Sequence, residues 1–85
     1  MPNVVDIATV INDIKSDMKR LMELQKKYED EYNNTDDNER KEYLFIRIWE
    51  LEGKINGLFT ACKTIKDRFM EDYPELLEKE TCEVD

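Results

Sequence analysis

Apolar side chains recur along this chain at alternating intervals of four and three. In the first half they fall at Ile7, Ile11, Ile14, Met18, Leu21, Tyr28 and Tyr32, with Gln25 filling the one polar place in the series. In the second they fall at Leu44, Ile48, Leu51, Ile55, Leu58, Cys62, Ile65 and Phe69. This alternation averages about 3.5 residues, close to the turn of an α-helix, so each series forms one stripe down one helix. Between the two lies Asn33-Asn34-Thr35-Asp36, polar residues of the kind that end one helix and start another. The pattern therefore predicts a helix over about 4–32 behind an Asn3 cap, a turn at 33–36, and a second helix over about 36–72. Asp36 and Glu39 have the spacing of an acidic capping box. Tyr73-Pro74 interrupts the second helix, a short third helix is expected over 74–80, and 81–85 reads as an acidic disordered tail. The expected fold is a single all-α domain over 1–80: an antiparallel, coiled-coil-like hairpin with a short C-terminal helix, dimerising into a helical bundle.

A short turn forces the helices antiparallel and ties their alignment to where the turn sits. If Tyr32 faces Asp37, then Ile7 meets Cys62, Ile11 meets Leu58, Ile14 meets Ile55, Met18 meets Leu51, Leu21 meets Ile48 and Gln25 meets Leu44. On the flanks the same alignment sets Asp17 against Lys54, Glu31 against Arg40, Lys15 against Glu52 and Met22 against Phe45. Opposite charges meet and apolar residues meet, which argues for that register.

The apolar residues left over are unevenly distributed. Helix one is polar on its far side, whereas helix two carries Ile46 and Trp49 there, Phe45 and Phe59 at its edge, and Gly53 and Gly57 four residues apart. Each mid-helix glycine costs about 1 kcal/mol relative to alanine, so two of them call for a packing reason. Close approach of another helix supplies one, with Phe45, Ile46, Trp49, Phe59 and Met22 contributing buried area beside Gly53 and Gly57.

Composition narrows the chemistry. The 85 residues include 21 acids, 13 bases and no histidine, for a net charge of −8. Histidine is the usual general base and the commonest metal ligand, so its absence weighs against hydrolytic chemistry and metal sites. The negative excess lies at the turn and the tail: residues 33–42 hold four acids and two bases and residues 73–85 five and one, whereas 43–72 hold five of each. No basic stripe could neutralise a nucleic-acid backbone. Cys62, at a core position, and Cys82, in the tail, are too few for a disulfide framework and are expected to be free thiols in a cytoplasmic protein. No apolar run is long enough for a membrane span, and the first residues lack the pattern of a secretory signal.

These features suggest a non-catalytic protein–protein interaction module without metal or cofactor. The expected role is a regulator or inhibitor that docks on and occludes a larger protein partner, with phage-encoded antagonists of host machinery as one setting. A basic partner surface, including that of a nucleic-acid-binding protein, would suit the net charge. The alternative is a nucleic-acid mimic presenting Glu29, Asp30, Glu31, Asp36, Asp37, Glu39 and Glu42. A small helical-bundle enzyme using arginines on an anionic substrate comes third, since Arg20, Arg40, Arg47 and Arg68 form no convergent cluster.

Overall fold

The computed structural model describes residues 4–74 and 81–84. Two helices account for nearly all of them, α1 over Val4–Asn34 and α2 over Asn38–Met70, packed against each other as an antiparallel hairpin. The molecule measures 53 × 17 × 15 Å, a length set by α2, whose 33 residues span about 50 Å at 1.5 Å per residue. The Asn3 cap and the third helix expected over 74–80 lie outside the described residues, apart from Pro74 at its start.

Every position of the two apolar stripes from Ile7 to Phe69 is buried or half-buried. Ile11, Met18, Leu44, Leu51 and Cys62 are fully enclosed, and Ile7 is nearly so. Burial follows the alternation because only one side of each helix has a neighbour. The rest of both surfaces faces outward.

The turn differs from expectation, and the difference propagates. Helix α1 continues to Asn34, and α2 is capped by Asp37, whose Oδ1 accepts hydrogen bonds from the backbone N–H groups of Glu39 at 3.0 Å and Arg40 at 3.3 Å. Asp36 is not the cap. The loop is thus Thr35–Asp37, centred on Asp36, whereas the alignment of Tyr32 with Asp37 assumed a centre between Asn34 and Thr35. Moving the centre by one and a half residues slides facing partners by three, close to a full helical turn. Cross-helix contacts follow the new alignment. The Gln25 side-chain amide donates to the Ile48 carbonyl at 3.3 Å and to Glu52 Oε2 at 2.7 Å, not toward Leu44. The Lys41 ammonium lies 5.4 Å from the Tyr32 ring centroid, in the place assigned to Asp37. Glu52 bonds Gln25 rather than Lys15, and Asp17 pairs with Arg20 one turn along its own helix. The Glu31–Arg40 pair forms as expected, because it lies close enough to the turn for a long arginine to absorb the slide.

The second correction concerns sulfur. Cys62 and Cys82 are joined by a disulfide, with Cα atoms 5.9 Å apart, and are not free thiols. Cys82 is buried with Ile7, Ile11 and Cys62, while Ile14, Ile65, Phe69, Met70 and Tyr73 pack around them. The C-terminal segment expected to be disordered therefore returns to the open end of the hairpin at Cys82, with Glu83 and Val84 alongside Asn12, Lys15, Ser16 and Lys19 of α1. Spacing alone could not reveal the cross-link, because Cys82 lies 20 residues beyond Cys62, past the end of the helical pattern.

Candidate functional site

The largest exposed apolar residues of α2 cluster near its N-terminal half. Trp49 is 62% exposed, and Phe45 and Ile46 are each 52% exposed. Their exposure follows from register on the helix: Leu44, Ile48 and Leu51 take the seam, so Phe45, Ile46 and Trp49 must project sideways and backward. Phe45 and Trp49, one turn apart, pack edge to face with centroids 6.1 Å apart. That contact holds the two rings as a unit.

Beside this pair runs an open groove of about 430 Å³ lined by Gln25 and Glu29 from α1 and Phe45, Ile48, Trp49, Glu52 and Asn56 from α2. Its floor is apolar and its rim carries two carboxylates and two amides. Gln25, the one polar residue of the first stripe, spans the groove from the seam to Glu52 and fixes that carboxylate on the rim. Sequence reasoning missed the groove in two ways. Ile48, Glu52 and Asn56 lie on the same helix within two turns of Trp49, where the helical period alone sets them, and they were not singled out. Gln25 and Glu29 of α1, in contrast, come alongside Phe45 and Trp49 only in the shifted register.

The remaining residues expected at a docking surface are divided. Met22, on α1, is 42% exposed but does not line the groove. Phe59 lines a different depression of about 260 Å³ with Lys63, Lys66, Asp67 and Thr81–Glu83, and the Lys63 ammonium lies 5.7 Å from its ring centroid. Gly53 and Gly57 face open space: a Cβ added at either would meet nothing within 4 Å.

The acidic residues lie toward the turn, all exposed, but two are committed to structure. Glu31 accepts from the Arg40 guanidinium at both carboxylate oxygens, and Asp37 caps α2. The hydrogen bond from Arg40 holds the Glu31 carboxyl below its usual range and raises Arg40 in return. Arg47 is also raised, first by its hydrogen bond to Tyr28 and then by the charge of Glu50, whose Oε2 it reaches at 2.7 Å. That ties Arg47 to the seam and to its own helix rather than to a cluster with Arg20, Arg40 and Arg68.

Among the described residues, no group of three or more cysteine, aspartate or glutamate side chains is placed to hold a metal ion, and no helix is long and apolar enough to cross a membrane. Comparison with protein-family models, curated proteins and solved structures gives no match.

Proposed function

We propose that the chain is a non-catalytic protein–protein interaction module that docks a larger protein partner at the Phe45–Trp49 groove and regulates it by occlusion. The observation that carries this reading is the exposure of Trp49 and Phe45 as a packed pair at the mouth of an apolar groove. Aromatic side chains held in place lose little entropy on binding and offer about 150–250 Å² each for burial, the usual character of an interface anchor. Glu29 and Glu52 on the rim favour a partner with basic residues flanking an apolar one. The Cys62–Cys82 bond is characteristic of an oxidising compartment and favours one over the cytosolic setting expected from free thiols.

Affinity capture from the native host, with nuclease treatment, tests this reading. A partner retained by the wild type and lost by a Phe45→Ala/Trp49→Ala variant of unchanged helicity supports it. Recovery of identical proteins by both would place docking elsewhere. The mimicry alternative has a different salt signature: capture through the turn acids weakens steeply between about 50 and 200 mM salt and survives Phe45→Ala/Trp49→Ala. Engagement of Glu31 with Arg40 and of Asp37 with the α2 backbone leaves fewer acids for such mimicry.

A further inference from the structure

The outer stripe of α2, directly opposite its seam, is distinct from the groove at its edge. From the turn outward it reads Glu42, Ile46, Trp49, Gly53, Gly57, Thr60, Thr64 and Asp67, all exposed. No charge falls on it between Ile46 and Thr64, five turns of helix. Large residues occupy its first half and small ones its second. At the boundary are the two glycines, over which nothing is packed.

We infer that this stripe pairs with its own copy, antiparallel, about a two-fold axis midway between Gly53 and Gly57. The inference goes beyond the groove reading, since Gly53 and Gly57 do not line the groove, and only Trp49 is common to both surfaces. In this arrangement Gly53 of each copy faces Gly57 of the other, so the backbones approach closely at the axis. Trp49 lies over Thr60 and Ala61 of the other copy, and Ile46 faces its Thr64. Large meets small throughout, as interdigitating helix faces require.

A parallel pair would instead set Trp49 against Trp49 and Ile46 against Ile46, leaving a void over the glycines. It would also bring together two hairpin tips, each carrying Asp36, Asp37, Glu39 and Glu42. Antiparallel pairing keeps the tips apart by most of the 53 Å length. The middle of the interface is charge-balanced, since residues 43–72 contain five acids and five bases, so the net charge of −8 does not oppose association there.

Burial gives the driving force. A two-helix hairpin encloses few side chains, and single cores of this size supply only about 3–5 kcal/mol. At their present exposure Ile46 and Trp49 offer on the order of 250 Å² per copy. The stripe of small residues adds close backbone contact, bringing the face toward the ~800 Å² per partner of a stable interface.

The test uses the full oxidised chain in sedimentation velocity from low micromolar to about 500 μM, together with emission from Trp49, the only tryptophan. Pairing predicts a doubling of mass accompanied by a blue shift. Gly53→Gln/Gly57→Gln removes two helix-weakening glycines, so it folds, yet its side chains hold the backbones apart and leave it monomeric. Orientation is read by mixing Ile46→Lys with Thr64→Glu. Each alone pairs at least tenfold more weakly than wild type, and the mixture recovers because the introduced ammonium and carboxylate meet only when the helices run antiparallel. A monomer across the whole range, or a glycine double variant that still dimerises, overturns the inference. A dimer without recovery on mixing overturns the antiparallel arrangement. Phe45 lines the groove but lies off the stripe, so Phe45→Ala keeps the two readings apart: it leaves pairing intact, and its effect on a captured partner tests the groove alone.

Discussion

Leu51 and Ile11 illustrate how unequally individual side chains contribute to so thin a molecule. Both are essentially inaccessible to solvent, at 2% and 0%. Truncating a buried leucine or isoleucine to alanine costs about 2–5 kcal/mol, through lost transfer energy and the cavity left behind. That is comparable to the total stability of a domain this small, so Leu51→Ala is expected to leave a largely unfolded chain at 25 °C by circular dichroism. Gly53 and Gly57 behave oppositely. With open space at both Cβ positions, Gly53→Ala and Gly57→Ala each stabilise the monomer by up to about 1 kcal/mol, read from urea denaturation at low micromolar concentration. A loss of stability there would mean that something covers the glycines even in the dilute chain. The Glu31–Arg40 pair contributes a pH dependence of defined sign. Because the Glu31 carboxyl is depressed in the fold, its contribution is present above the ordinary glutamate value and disappears as pH falls through the lowered one. Acid denaturation curves of Glu31→Gln should therefore lack the part of the stability loss that the wild type shows below about pH 4.5.

At the scale of the helices, the turn decides more than its three residues suggest. Asp37 satisfies two backbone N–H groups at the start of α2, so Asp37→Ala is expected to cost about 1 kcal/mol in thermal or urea denaturation, whereas Asp36→Ala, with no such bonds to α2, changes little. The same pair of aspartates shows why the helices were legible and their alignment was not. Periodicity in the apolar positions depends on which face of a helix meets a neighbour, and it identifies both helices and every seam residue from Ile7 to Phe69. Alignment depends on which of two adjacent aspartates closes the first turn, a choice that local spacing leaves open. The shift of the loop centre by one and a half residues then moves the Gln25 amide from Leu44 to the Ile48 carbonyl and brings α1 alongside the groove beside Trp49. Phe45, Ile46 and Trp49 are recognisable from sequence because their exposure requires only the helical period. Gln25 and Glu29 are not, because they reach those aromatics from the other helix and their proximity is a product of alignment, whereas Glu52 and Asn56 follow from the same helical period as Trp49.

The whole molecule is held by the short loop at one end and, at the other, by packing around the Cys62–Cys82 bond, which pins the C-terminal segment to α2. Closing a loop of this size removes conformational freedom from the unfolded chain, worth about 3 kcal/mol. Oxidised and reduced samples should therefore differ by that amount in urea denaturation, with the loss beginning at the layer of Ile7 and Ile11 that packs on Cys82. Retention of full stability under reductant would indicate that packing alone holds the C-terminal segment in place.

The cross-link also sets how the molecule bears load. The start of α1 and Cys82 both lie at the open end of the hairpin, so a pull between them peels α1 from α2 like a zipper, toward the turn. Tension entering through Cys82 crosses directly to Cys62, and the 20-residue span between them carries none of it. Reduction restores that span to the loaded path and lengthens the fully extended chain by about 70 Å, a step that a single-molecule stretching experiment resolves.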